Sequence, residues 1–191
     1  MECVQKDRYA FVALGSNKTS AAGPPERTVA DAILALAGNS VQICTVSRFF
    51  HTPAFPAGSG PDYVNLVLGL TTDLPPEGLL ARLHQIESDF FRVRQGRWGA
   101  RTLDLDLLAM GDLILPDAAG LTRWITLDPA DQARIAPDRL ILPHPRLQDR
   151  GFVLIPWADI APDWRHPLTG LTVREMLDAL PDAAKAEVRP F

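Results

Sequence analysis

From Leu103 onward the chain alternates. Leu103, Leu105 and Leu107 fall on one face of a strand running to Met110, and Asp104 and Asp106 fall on the other. Apolar runs mark three further strands at Tyr9–Leu14, Val41–Thr52 and Tyr63–Thr71. The first ends in a turn at Gly15-Ser16-Asn17, and a Pro/Gly loop fills Pro53–Pro61. Two stretches carry the helical period instead. Glu26–Ala37 aligns Val29, Ile33, Leu34 and Leu36 and stops at Gly38-Asn39. Pro75-Pro76 opens a second helix, with Leu79, Leu80, Leu83, Ile86 and Glu87 on or near one side. The order β-α-β-β-α-β is the split arrangement of a ferredoxin-like α+β fold. It predicts a mostly antiparallel sheet with helices packed against it.

Downstream the pattern weakens. Gly111-Asp112 reads as a tight turn into a short strand at Leu113–Leu115. The stretch 116–138 reads as a surface insertion of mixed content: a loop at Asp117–Gly120, a strand at Trp124–Leu127, and a helical turn within Pro129–Ile135. A short helix is expected at Ile155–Ile160 and another at Val173–Leu180.

The length of 191 residues suits one domain with its own core. The 47% apolar and 22% charged content is ordinary for a globular chain. A formal net charge of −4 argues against nucleic-acid binding. Cys3 and Cys44 have no metal or redox spacing, and Cys44 is expected in the core, as suits a reducing cytosol. The first residues lack an apolar signal core and no run approaches membrane-spanning length, so the expected setting is cytoplasmic.

The chemistry concentrates at residues 92–106. Two carboxylates at i and i+2 on one pleat can share a hard cation such as Mg²⁺. Arg92, Arg94, Arg97 and Arg101 lie just upstream, with Trp98 among them. Alone, Leu-Asp-Leu-Asp-Leu is any half-buried strand, and the arginines alone are a solvated loop. Together they suit an anionic ligand that arrives with its metal, a nucleoside triphosphate. No Gly-rich loop ending in Lys-Ser/Thr is present, so ATP would not be held as in a P-loop protein. Ser88–Ala100, charged and with Gly96 and Gly99, has the composition of a lid.

Residues 97–108 (RWGARTLDLDLL) resemble the signature of the 6-hydroxymethyl-7,8-dihydropterin pyrophosphokinases of folate biosynthesis. Matching stretches follow in that family's order: Phe11 to Asn17, Ser47 to Pro53, Pro61 to Asn65, Ile86-Glu87, Arg92 to Arg94, Pro143-His144 and Asp149 to Phe152. The resemblance implies transfer of the ATP diphosphate to the hydroxymethyl group of the pterin, with AMP leaving. It implies that Asp104 and Asp106 bind two Mg²⁺ ions, and that Arg92 and Arg101 are catalytic. ATP contacts would fall to His84, Glu87, Arg94, Trp98, Leu107, Arg139, His144 and Arg150. Pterin contacts would fall to Thr52, Pro53, Phe55, Tyr63, Asn65 and Phe152. ATP and the pterin would be the partners, with no nucleic acid or membrane, and the chain would act as a monofunctional monomer.

Two other classes compete. A Mg²⁺-dependent nucleotidyltransferase also uses paired aspartates on a ferredoxin-like sheet but releases pyrophosphate. A non-catalytic nucleotide-binding module would bind ATP without turnover. The aromatic pair with Asn65 speaks for a heterocyclic acceptor and against both.

Overall fold

A computed structural model describes residues 8–20, 22–54, 60–90, 102–128, 131 and 134–191. The strands are β1 (Arg8–Ser16), β2 (Val41–Val46), β3 (Phe50–Thr52), β4 (Tyr63–Thr72), β5 (Asp104–Met110) and β6 (Arg189–Pro190). The helices are α1 (Pro25–Leu36), α2 (Pro76–Asp89), α3 (Ala118–Ile125), α4 (Gly151–Ile160), α5 (Val173–Ala179) and α6 (Asp182–Ala186). A 3₁₀ turn covers Leu147–Asp149.

The sheet is antiparallel and six-stranded, ordered β5-β1-β4-β3-β6, with β2 also paired to β4. β2 and β3 share one side of β4, so the expected single strand over Val41–Thr52 is broken into two. The break falls at Ser47. Its hydroxyl accepts the Val67 N–H at 3.0 Å and donates to the Arg48 carbonyl at 2.8 Å. A side chain thus replaces part of the backbone ladder. Arg48 then grips Asp159 of α4 with two guanidinium nitrogens, at 2.9 and 2.8 Å. That pairing holds the Asp159 carboxyl below its usual range.

Helices α1 and α2 each open on a proline pair, Pro24-Pro25 and Pro75-Pro76. Proline is tolerated in a first turn because that N–H has no intrahelical partner. Both helices pack on one face of the sheet. Val12, Leu14, Leu66, Leu68, Leu103 and Leu105 meet Val29, Leu36, Leu79, Leu83 and Ile86 there. The other face carries a second core of Phe11, Val67, Leu108, Trp157, Val173 and Met176, roofed by α4 and α5. Trp157 stacks on Trp164 at 4.6 Å and meets Phe11 at 5.0 Å. Covering both faces explains why Val64 to Leu70 is buried without alternation.

Several expectations are corrected. Ser16 belongs to β1, so the turn starts later than Gly15. Cys44 is exposed, because the β2 register slips between Ile43 and Thr45 and leaves it unpaired on the outer edge. Leu113–Leu115 is not a strand: Leu115 forms an isolated bridge to Leu142. Within 116–138, Trp124 and Ile125 close α3 instead of forming a strand. Asp117 caps that helix by accepting the Gly120 N–H at 2.7 Å, which turns the expected loop into a first turn. Helix α4 begins at Gly151, four residues earlier than expected, and runs through Pro156.

Candidate functional site

The antiparallel register sets Asn65, Gly15 and Asp104 in one transverse row. Directly opposed residues project to the same face, so the Asn65 amide and the Asp104 carboxylate flank a glycine. Two residues along each strand, Tyr63 and Asp106 share that face. It is the face that α4 roofs farther along the sheet.

Gly15 is required by close approach. A Cβ built there would meet Asn65 Oδ1 at 2.7 Å and Tyr63 Cδ1 at 3.9 Å. Asn65 is only 6% exposed, and its amide nitrogen donates to Thr52 Oγ1 at 2.6 Å. That bond orients the amide and turns its carbonyl oxygen, an acceptor, over Gly15. Ser16 and Asn17 fasten the flanking segments: Ser16 Oγ donates to the Thr102 carbonyl at 2.6 Å, and Asn17 Nδ2 to the Pro61 carbonyl at 3.0 Å.

Asp106 meets a cation from the segment after the insertion. Arg150 Nη1 lies 3.3 Å from Asp106 Oδ2, both side chains being partly exposed. The same guanidinium stands 5.6 Å from the centroid of the Phe152 ring, which is 39% exposed. Arg150 therefore spans from the carboxylate pair to an aromatic face. His144 is fixed at its backbone and at its ring. Its N–H donates to the Leu108 carbonyl at 2.8 Å, and its Nδ1 accepts the Arg146 N–H at 3.1 Å. Burial, then the Arg150 charge, push its pKa down to about 3, with Asp104 opposing and Arg146 adding. The ring is neutral at pH 7, and with Nδ1 accepting, the proton sits on Nε2 as a donor. Arg146, paired with Asp149 at 3.0 Å, was not singled out from sequence. Its spacing of four from Arg150, across a turn, was the available signal.

Other expected contacts fall differently. Glu87 is 2% exposed, and its Oε1 accepts the Leu105 N–H at 2.8 Å, tying α2 to the edge strand β5. His84 is exposed one turn earlier on α2. The Leu107 side chain is buried in the core on the opposite face from Asp104 and Asp106, so only its backbone could reach a ligand. Arg139 is largely exposed and pairs with its neighbour Asp138 at 3.4 Å. Pro53 is exposed beside Thr52. Phe55, Arg92, Arg94, Arg97, Trp98 and Arg101 lie outside the described residues.

The donor set fits Mg²⁺. Asp104 and Asp106 offer hard oxygens on one face. No group of three His, Cys, Asp or Glu able to hold a metal gathers among the described residues. Two carboxylates alone leave coordination positions for phosphate oxygens and water, the way Mg²⁺ is held in nucleotide sites.

The depressed histidines make a stability prediction. An unfolded histidine titrates near ~6.5. His144 stays neutral down to about 3, and burial also lowers His166, which is 1% exposed. Between those values the unfolded chain binds more protons than the folded one. Stability therefore rises with pH through this window and is fully present above ~6.5. Urea midpoints are expected to fall between pH 7 and pH 4, less steeply in His166→Gln. Equal slopes in the two proteins would contradict this.

A family model described as 7,8-dihydro-6-hydroxymethylpterin-pyrophosphokinase matches residues 11–162. The chain is 36% identical over 186 residues to a 2-amino-4-hydroxy-6-hydroxymethyldihydropteridine pyrophosphokinase of Synechocystis, covering 97% of this chain and 83% of that one. It is 38% identical to a Pseudomonas aeruginosa protein of the same name, covering 90% and 91%. In three dimensions it matches the crystal structure of Plasmodium falciparum HPPK-DHPS with a TM-score of 0.64 at 14% identity. That alignment covers 93% of this chain but only 45% of the Plasmodium chain, and at this identity it speaks for the fold alone.

Proposed function

The chain belongs to the 7,8-dihydro-6-hydroxymethylpterin-pyrophosphokinase family, and from that premise we propose that the face bearing Tyr63, Asn65, Asp104 and Asp106 is where its reaction occurs. Members are ATP-dependent pyrophosphokinases of folate synthesis, and the protein forms the pterin diphosphate from ATP and the hydroxymethyl pterin. The nucleotidyltransferase and binding-module alternatives are thereby set aside. The observation that carries the site is the single row Asn65–Gly15–Asp104. It brings the amide proposed as the heterocycle's edge partner beside the carboxylate proposed to bind metal.

The reacting hydroxyl must approach the β-phosphorus in line. Phosphoryl transition states are loose and charged, so positioning and neutralisation do most of the catalytic work. Asn65, its nitrogen occupied by Thr52, would offer its carbonyl oxygen to the N–H groups of the pterin edge. Tyr63 and Phe152 would offer aromatic faces, and Thr52, Pro53 and Phe55 would contact the pterin as well. Asp104 and Asp106 would hold Mg²⁺, which when bound neutralises phosphate oxygens and polarises the attacking hydroxyl. Arg150, now on Asp106, would pass to a phosphate oxygen when a cation takes that carboxylate. His144 Nε2–H would donate to the nucleotide. Arg92, Arg94, Trp98 and Arg101 would close over the triphosphate, with His84, Glu87, Arg139 and the Leu107 backbone on the nucleoside side. Arg146 would add a second cation near His144. In this reading the chain acts as a cytoplasmic monomer of one domain, with 116–138 as an excursion. No described helix is long and apolar enough to cross a membrane.

Gly15→Ala tests the row. The added Cβ would press on Asn65 Oδ1 at 2.7 Å, so the amide must leave its place. Pterin affinity is expected to fall by about five- to 150-fold, the ~1–3 kcal/mol of an unpaired buried ligand group. ATP affinity should be kept. Titration calorimetry checks it, and equal pterin affinity in the variant would contradict the assignment. The reaction itself is tested with ATP, Mg²⁺ and 6-hydroxymethyl-7,8-dihydropterin. AMP and pterin diphosphate should accumulate one to one, whereas pyrophosphate release would sink the reading.

A further inference from the structure

Residues 182–191 reach both walls of the proposed pterin site. On one side α6 backs the turn that starts α4. A Cβ at Gly151 would lie 2.7 Å from the Ala184 carbonyl oxygen and 3.6 Å from Val188 Cγ2. Gly151 stands between Arg150 and Phe152, so this contact sets where both side chains emerge. On the other side β6 pairs with β3, Pro190 opposite Phe50 and Arg189 opposite His51. The Phe191 N–H donates to the Phe49 carbonyl at 2.8 Å. The Phe191 ring lies on the His51 imidazole, with centroids 4.6 Å and planes 16° apart, and meets Phe49 edge-on at 6.3 Å.

β3 is three residues long and carries Thr52, whose hydroxyl orients Asn65. So short a strand, paired on one edge only, opens easily. β6 supplies its second edge. The row through the site continues into this segment, as Pro190, Phe50, Asn65, Gly15 and Asp104 are successive partners across the sheet.

We propose that residues 182–191 form a strap that positions the pterin, holding the Thr52 strand and the Gly151 turn in fixed relation, with the Phe191–His51 stack as its latch. The proposal rests on the reading of the pterin site given above. Phe191 is a positioning residue: it acts on Thr52 and Asn65 through β3. A purely structural segment would change melting temperature and affect both substrates alike. A strap specific to this wall should act on the pterin and spare the nucleotide.

The test is calorimetric titration of a pterin analogue in the presence of a non-hydrolysable ATP analogue, beside titration of the nucleotide alone. Phe191→Ala is expected to weaken pterin binding roughly two- to tenfold, the range an aromatic pair contributes. Nucleotide affinity should stay within error. The KM for pterin should rise with kcat nearly unchanged. Phe191→Tyr, which keeps the ring, should restore binding. His51→Ala removes the other half of the stack and should cost the same, with no further loss in the double variant. Unchanged pterin affinity in Phe191→Ala, or equal weakening of both ligands, would overturn the strap while leaving the site reading intact. Failure of the wild-type protein to bind the pterin analogue would overturn the site reading and the strap with it.

Discussion

Asp106→Ala and Asp104→Ala are each expected to fold and to lose nearly all turnover. Removing one carboxylate takes away half of the oxygen pair that would hold the metal. A bound metal ion supplies several kcal/mol of charge stabilisation to such a transition state, so the loss should be about a thousandfold in kcat. Stability should barely move. Asp106 is partly exposed, and its ion pair with Arg150 is of the kind worth about 0–1 kcal/mol. Asp104 shares the same open face beside Gly15. Steady-state rates with Mg²⁺ as the only metal, together with melting temperatures, check both halves. Activity within a few-fold of wild type in either variant would remove the metal assignment.

The second large effect is expected at Arg92 and Arg101. Contacts made only as the transition state forms reduce kcat, whereas uniform binding contacts raise KM. A guanidinium aimed at developing phosphate charge belongs to the first class, and loss of one such donor costs about 10²–10³ in rate. Arg92→Ala and Arg101→Ala are therefore expected to lower kcat by that order while ATP affinity changes a few-fold at most. Lysine should rescue little, because it cannot bind phosphate oxygens bidentately. Single-turnover rates beside nucleotide titrations separate the two cases. Preserved kcat with a matching loss in ATP affinity would make these arginines ordinary binding groups.

The core of the fold was legible because long elements repeat their period. Glu26–Ala37 and Tyr63–Thr71 bury enough apolar surface for pattern alone to identify them, and they reappear as α1 and β4 within a residue or so at most ends. What escaped depends on single polar contacts. Ser47 breaks the second strand through its own hydroxyl, and Asp117 starts a helix where the composition resembles a loop. Periodicity carries no trace of either. The segment 182–191 was missed for a related reason. Its helix has five residues and its strand two, too short to show a period, and their meaning comes from Gly151 and β3, far away in sequence.

The site divides the same way. Tyr63 and Asn65, like Asp104 and Asp106, share a face by their i, i+2 spacing alone, and each pair lies within one strand. That the two pairs lie beside one another follows from the register of β1 with both neighbours, which no local pattern encodes. Leu107 follows Asp106 directly, and the alternation of the strand sends its side chain into the opposite core, leaving its backbone on the site's edge strand. Glu87 reads from sequence as a ligand group, but its buried carboxylate takes the Leu105 N–H and thereby fixes the strand that carries the aspartates.

The most direct test of the site is a crystal structure of the complex with Mg²⁺, a non-hydrolysable ATP analogue and a pterin analogue. The account predicts metal density on the Asp104 and Asp106 carboxylates, the pterin edge on the Asn65 amide, and Arg150 moved from Asp106 to a phosphate oxygen. Metal or pterin bound away from the Asn65–Gly15–Asp104 row would contradict it.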